Sequence, residues 1–104
     1  MTYELRIYHA TPGKISNLLT RFRDHTVDLF AKHGMHSVAY WVDDAVPDDL
    51  IYVLKHSGEP ATNWEAFLSD PDWLAAKSAS ETEGSLVVSI DSRYMSATDF
   101  SKLQ

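Results

Sequence analysis

The sequence predicts a single α+β domain in which helices cover a four-stranded sheet. One observation is the segment from Thr11 to Gly34, whose apolar residues recur every three or four positions, as in a long amphipathic helix. The other is a set of four segments rich in β-branched and aromatic residues, which alternate with two helical segments in the order β-α-β-β-α-β. The chain has 104 residues, 44% of them hydrophobic, so residues 1–104 are expected to form one domain with one core.

The first predicted strand runs from Tyr3 to His9 and leads into the long helix. We expect Thr11 to cap the helix, Pro12 to occupy its first position and Gly34 to end it in the left-handed conformation. The solvated stripe of this helix is predicted to consist of its polar residues, namely Lys14, Asn17, Arg21, Asp24, Asp28 and Lys32.

The middle of the chain predicts two strands joined by a polar loop. Strand two spans residues 35–42, the loop spans residues 43–49, and strand three spans residues 50–56. The near-continuous apolar character of strand three favours a central position in the sheet.

The second helical segment is predicted to be kinked or divided, because a proline interrupts it. Thr62 and Glu65 have capping-box spacing, and Asp70 followed by Pro71 is typical of a new helix start. Strand four then runs from Leu86 to Met95.

This order predicts the ferredoxin-like, split βαβ arrangement. Right-handed crossovers are expected to place strands one and three side by side and parallel in the centre, with strands two and four at the edges. Both helices would then cover one face. The other face is expected to carry a largely apolar set of side chains that a second copy covers, which predicts a two-fold homodimer of packed sheets. That set is Arg6, Tyr8, Tyr52, Leu54 and His56, together with alternate residues of strand two.

The composition excludes several classes of function. A formal charge of −6, without a cluster of Lys or Arg, argues against binding to nucleic acid or to anionic membranes. The absence of cysteine excludes disulfides, thiolate metal ligands and a thiolate nucleophile. No apolar run reaches the length of a membrane span, and the first residues lack a signal-peptide pattern, so we expect a cytoplasmic protein.

No metal site or cofactor is predicted. The chain has five histidines, and His33 and His36 are the closest pair, but Gly34 separates them and no third ligand has a recognisable spacing. Signatures of a serine nucleophile, a phosphate-binding glycine loop or a dinucleotide site are also absent, so no catalytic residue is assigned.

Arg6 is the cation with the strongest claim to a role. A buried guanidinium must be paired, and Glu4, Asp91 or Asp99 could pair with it. Alternatively, Arg6 lines a pocket inside a barrel and orients an anionic or carbonyl-bearing small molecule. The predicted ligand-binding residues are Arg6, Tyr8, Tyr52, His56 and Trp41, and the side-chain alternation of strand two decides whether Trp41 or Tyr40 enters the barrel.

The whole chain resembles the NIPSNAP family of small dimeric α+β-barrel proteins. The resemblance lies in residues 3–8 (YELRIY) with Pro12-Gly13-Lys14, in residues 32–35 (KHGM) with Tyr40-Trp41, in residues 64–67 (WEAF) with residues 70–73 (DPDW), and in residues 97–101 (ATDFS). It implies the ferredoxin-like fold and a dimer, but little chemistry.

Two functions from different classes follow. The first is a dimeric binding or interaction domain with a small-molecule pocket in the barrel. The alternative is a cofactor-independent enzyme, similar to monooxygenases or isomerases of the same architecture, that acts on a small carbonyl or carboxylate compound.

Overall fold

A computed structural model describes all 104 residues and confirms the predicted order of strands and helices. The strands are β1 (Thr2–Ala10), β2 (Met35–Val42), β3 (Asp49–His56) and β4 (Val87–Met95). The helices are α1 (Ile15–Arg21), α2 (Val27–Lys32), α3 (Pro60–Leu68) and α4 (Pro71–Ser80), and a π-helical turn, Phe22–Thr26, joins α1 to α2.

The sheet has the order β2-β3-β1-β4, which confirms the predicted central and edge positions. The prediction that β1 and β3 run parallel is wrong, because every neighbouring pair is antiparallel. The reason lies in the connections. The first helical segment returns the chain so that β2 has the same direction as β1, and the following hairpin reverses it, which leaves β3 antiparallel to both.

The first helical segment is shorter than predicted and is not a regular α-helix. It begins at Ile15, and Thr11 does not cap it, because the Thr11 hydroxyl donates to the Ser85 carbonyl at 2.8 Å. In the π turn the Val27 N–H donates to the carbonyl of Phe22, five residues back. Arg21 precedes this turn and lies three residues after the buried Leu18, so the regular spacing of α1 places both side chains on the interior face. The prediction that Arg21 is solvated is therefore wrong, since it is 4% exposed.

The second helical segment is divided in two, as predicted. Pro60, with its fixed φ angle, is the first residue of α3, so the predicted capping box at Thr62 and Glu65 does not form. Asp70 caps α4 as expected, and its carboxylate accepts from the Asp72 N–H at 2.8 Å.

The face assignment of the central strands is the main correction. Tyr8, Tyr52 and Leu54 belong to the core beneath the helices, and Glu4 and His56 are buried on the same side. The set predicted to point away from the helices therefore points toward them. Polar side chains are tolerated there because they hydrogen-bond one another, as described below. The helix-free face carries the alternate residues instead, and Tyr3, Val38, Trp41, Val53 and Met95 line a shallow groove on it.

The alternation of β2 is settled by its contacts. The Tyr40 ring stacks on Tyr52 at 5.1 Å in the core, whereas Trp41 is 53% exposed on the helix-free face.

None of the helices has the length and apolar character needed to cross a membrane.

Candidate ligand-binding cleft

A cleft of about 500 Å³ opens between the β1–β4 half of the sheet and the helices above it. This volume lies within the range of small-molecule sites in proteins. Most of the lining is aromatic or aliphatic, and the polar exceptions are mainly cationic. The residues are Arg6, Tyr8, Arg21, Trp64, Phe67, Leu68, Trp73, Leu74, Lys77, Glu81, Val87 and Ile90.

The Arg6 guanidinium stands at the wall of this cleft. Its Nε donates to the Tyr52 hydroxyl at 2.8 Å, Nη1 donates to Glu4 at 3.0 Å, and Nη2 donates to the Tyr8 hydroxyl at 3.2 Å. A guanidinium has five N–H groups, so one on Nη1 and one on Nη2 remain without a protein acceptor. Arg6 is thus held in a fixed orientation and still has donors for a ligand.

The Glu4 carboxylate behind Arg6 is fully engaged. One oxygen accepts from Trp64 Nε1 at 2.8 Å and from His56 Nε2 at 2.7 Å; the other accepts from Arg6 and from the Ser92 hydroxyl at 2.6 Å. Burial by itself raises the pKa of the Glu4 carboxyl, but these donors outweigh it and hold the pKa below its ordinary value. Glu4 is therefore an ionised anchor that joins β1, β3, β4 and α3.

The hydrogen bonds of Asn63 fix the protonation of His56. Asn63 Nδ2 donates to the Ser57 carbonyl at 3.0 Å, which orients the amide, and the same nitrogen donates to His56 Nδ1 at 3.1 Å. Nδ1 is then an acceptor, so the proton lies on Nε2 and is donated to Glu4. His56 is a neutral, fully buried donor that supports Glu4 rather than a group that faces the cleft.

Aromatic rings complete the setting of Arg6. The guanidinium carbon lies 4.1 Å from the centre of the Trp64 ring, within cation–π range. Burial tends to lower the pKa of Arg6, but the Tyr52 and Tyr8 hydroxyls and Glu4 raise it above its ordinary value. Burial raises the pKa of Tyr52 well above its ordinary value, so this hydroxyl stays neutral beside the permanent cation.

A second arginine lines the same cleft. Nη1 of Arg21 lies 3.2 Å from the Ser80 hydroxyl and 3.5 Å from Glu81, and the guanidinium lies over Trp73 at 5.0 Å. Its Nε is buried and has no hydrogen-bond partner. Burial is the main cause that lowers the pKa of Arg21 below its ordinary value, and Glu81 opposes it, yet an arginine remains charged at neutral pH.

Four of the five predicted ligand-binding residues lie together, on the face opposite to the one predicted. Arg6 and Tyr8 line the cleft, Tyr52 contacts Arg6 from within the core, and His56 is linked to Arg6 through Glu4. Trp41 lies apart from them, in the groove of the helix-free face. The predicted pairing of Arg6 with Glu4 is confirmed, whereas Asp91 contacts His9 instead.

Arg21, Trp64 and Trp73 line the cleft but are not among the ligand-binding residues predicted from the sequence. The signal for Arg21 was its position three residues after Leu18, which places both side chains on one face of α1. The closely spaced histidines are also separated: His33 Nε2 contacts the Asp70 carboxylate at 2.7 Å, and His36 is exposed on β2.

The fold and the cleft define a ferredoxin-like α+β protein whose sheet and helices enclose a space of ligand size. The NIPSNAP family model matches residues 3–102, so the chain belongs to the NIPSNAP family. No curated protein matches the chain significantly.

Solved structures agree with this assignment at the level of the fold. A protein from Agrobacterium tumefaciens is 22% identical with a TM-score of 0.84, and the match covers 100% of both chains. A NIPSNAP family protein from the same organism is 24% identical with a TM-score of 0.80 over 99% of this chain and 98% of that one. A protein described as an antibiotic biosynthesis monooxygenase is 14% identical with a TM-score of 0.65, over 94% and 99% of the two chains.

Proposed function

We propose that this protein binds a small carboxylate with an apolar body in the cleft between its sheet and its helices. The observation that carries the proposal is the Arg6 guanidinium, which is held by three hydrogen bonds and retains two uncommitted N–H groups. Two N–H groups of one guanidinium suit the two oxygens of a carboxylate. Aromatic and aliphatic side chains around them suit the rest of the molecule.

The charge balance of the cleft supports an anionic ligand. Arg6, Arg21 and Lys77 are cationic, whereas Glu4 and Glu81 are the acidic groups paired with them, so the positive groups exceed the negative ones by one. A monocarboxylate would neutralise this excess. The chain as a whole has a net charge of −6, so an anion that binds here is drawn to one local positive site.

The cleft favours binding over general-base catalysis. Glu4 already accepts four hydrogen bonds, and its pKa lies below the ordinary value. Hydrogen bonding to Leu86 and the charges of Lys77 and Arg21 lower the pKa of Glu81, against the effect of burial. Neither carboxylate suits proton abstraction near pH 7. The enzyme alternative has the support of the fold shared with the antibiotic biosynthesis monooxygenase, and oxygen consumption in the presence of a bound acid would favour it.

The test measures binding of 4-phenylbutanoate by titration calorimetry. We expect saturable binding to the wild type and at least ten-fold weaker binding to Arg6→Lys, because lysine keeps the charge beside Glu4 but loses the paired donors. Arg93→Lys is the control, since Arg93 is exposed on β4 and does not line the cleft. Equal affinity in all three proteins would contradict the proposal.

A second pair of variants tests the place of binding without disturbing the Arg6 network. Ile90→Trp adds bulk at the lining of the cleft, and Val88→Trp adds the same bulk two residues away, outside it. We expect only Ile90→Trp to abolish binding. If both variants still bind the acid, the ligand binds elsewhere on the protein.

We also infer that the partner of this chain is a second copy, packed against its helix-free face. The support is the apolar groove on this face, in which Trp41 is 53% exposed and Leu103 is 55% exposed. A two-fold dimer would remove this surface from water.

A further inference from the structure

Arg21 has donors that the protein does not use. Nη1 is engaged by Ser80 and Glu81, whereas Nε is buried and has no hydrogen-bond partner. The side chain is 97% buried, since 3% of its surface is exposed. A buried donor without an acceptor costs free energy, and such groups in native proteins call for an explanation.

The position of Arg21 relates these donors to the cleft. Arg21 lies on the interior face of α1, where it lines the cleft together with Arg6 and Tyr8. Tyr8 connects the two arginines, because its hydroxyl accepts from Arg6 and its ring packs on Phe22, the neighbour of Arg21, at 5.3 Å. Both arginines that line the cleft therefore retain N–H groups that no protein acceptor engages.

The surroundings of Arg21 favour a neutral acceptor over a second anion. Glu81 lies 3.5 Å from Nη1 and already balances the charge of this guanidinium. A second carboxylate would meet the repulsion of Glu81, and the single positive excess of the cleft is neutralised by one carboxylate at Arg6. A ketone oxygen accepts two hydrogen bonds without adding charge.

We propose that Arg21 is a second anchor and that the ligand is an oxo acid with an apolar body. In this complex the carboxylate binds Arg6, the ketone oxygen accepts from Arg21, and the apolar body contacts Trp73 and Leu74. The inference rests on the proposed function, since it requires a carboxylate at Arg6, but it specifies the chemical class of the ligand.

The experiment compares oxo acids with their deoxo counterparts, so that the ketone is the variable. The probes are 2-oxo-4-phenylbutanoate and 4-oxo-4-phenylbutanoate against 4-phenylbutanoate, and 5-oxo-5-phenylpentanoate against 5-phenylpentanoate. We expect at least one ketone position to bind the wild type ten-fold more tightly than the deoxo acid. Arg21→Lys should lose this gain and keep its affinity for the deoxo acid, whereas Arg23→Lys, at an exposed position of the π turn, should keep both.

A second variant leaves Arg21 in place. Glu81→Gln removes the charge that balances Arg21, so we expect heptanedioate to gain at least ten-fold in affinity over its value for the wild type, and to gain more than 4-phenylbutanoate, which has a single carboxylate. If the wild type binds the diacid with higher affinity than every oxo acid, the proposal that Arg21 binds a neutral acceptor is wrong.

The outcomes separate the two proposals. If the deoxo acids bind in an Arg6-dependent manner but no oxo acid gains, or if the gain survives in Arg21→Lys, the second anchor is wrong and the carboxylate site stands. If no acid binds in an Arg6-dependent manner, the proposed function fails, and the second anchor fails with it.

Discussion

Glu4 Oε1 lies 2.7 Å from His56 Nε2, and neither side chain is exposed to solvent. The two residues belong to adjacent central strands, and Trp64 from α3 donates to the same oxygen. A carboxylate at this position joins the sheet to the helix that covers it. We therefore expect this carboxylate to contribute more to the free energy of unfolding than a surface ion pair does.

Glu4→Gln is predicted to destabilise the protein by about 3 kcal/mol, because it removes the charge that compensates Arg6 and introduces an amide where donors converge. Urea unfolding at pH 7 measures the change. Glu65→Gln, at an exposed position of α3, is the control and should stay within about 0.5 kcal/mol of the wild type.

The pH dependence of the same pair has a definite sign. The pKa of Glu4 is lowered on folding, so its stabilisation is present above the ordinary carboxyl pKa and is lost as the pH falls through the lowered value. We expect the stability difference between wild type and Glu4→Gln to shrink below about pH 4. A difference that grows on acidification would contradict this account.

Gly34→Ala is predicted to cost more than Gly58→Ala, although both glycines have left-handed φ angles, +76° and +77°. Each alanine pays about 1–2 kcal/mol for that conformation. A methyl group at Gly34 would also lie 3.3 Å from the Asn63 side-chain oxygen and from the Ser57 carbonyl, whereas nothing lies within 4 Å at Gly58. Denaturant midpoints of the two variants measure the loss of stability in each. Equal losses would show that the close contacts at Gly34 carry no cost in stability.

The stabilisation that His9 provides is predicted to be lost at alkaline pH. Its Nε2 contacts Asp91 at 2.9 Å and its Nδ1 contacts Asp49 at 2.8 Å, and these carboxylates raise the pKa of His9 above its ordinary value. The stabilisation is fully present below about pH 6.5, the unfolded value, and is lost as the pH rises through the raised one.

The measurement is the thermal midpoint between pH 6 and pH 9. His9→Asn should reduce the dependence on pH, whereas His36→Asn, at an exposed position of β2, should leave it unchanged. An undiminished slope in His9→Asn would assign the effect to another group.

Trp41→Asp is predicted to dissociate the proposed dimer. Trp41 is 53% exposed in the groove of the helix-free face, and Val46, which is 47% exposed in the β2–β3 loop, provides a control of similar exposure. We expect Trp41→Asp to sediment as a monomer at micromolar concentration and Val46→Asp to remain dimeric. A monomeric wild type would end the dimer proposal.

The order and positions of the strands were predictable because alternation and apolar runs report local conformation directly. The face of β1 that packs against the helices was not predictable, because it carries Glu4, Arg6 and Tyr8, whereas the more apolar residues Tyr3, Leu5 and Ile7 lie on the other face. The choice depends on Trp64, Asn63 and Ser92, which satisfy Glu4 and His56 from distant parts of the chain. No local pattern contains that information.

Arg21 shows a second limit of the sequence pattern. Its charge assigned it to the solvated stripe, although its position three residues after the buried Leu18 places it on the interior face of α1. The cationic character of the cleft was therefore only half predicted: Arg6 follows from the alternation of a strand, whereas the setting of Arg21 depends on residues far along the chain, namely Trp73, Ser80 and Glu81.

The two tryptophans next to the arginines of the cleft can report ligand binding through their fluorescence. Arg6 lies over the Trp64 ring at 4.1 Å and Arg21 over the Trp73 ring at 5.0 Å, whereas Trp41 lies on the opposite face of the sheet. Indole emission responds to a nearby charge, so an acid that neutralises either guanidinium changes the fluorescence of the ring beneath it. Replacing Trp41 with Phe leaves emission from the cleft alone, and occupancy of the cleft then becomes visible without any label.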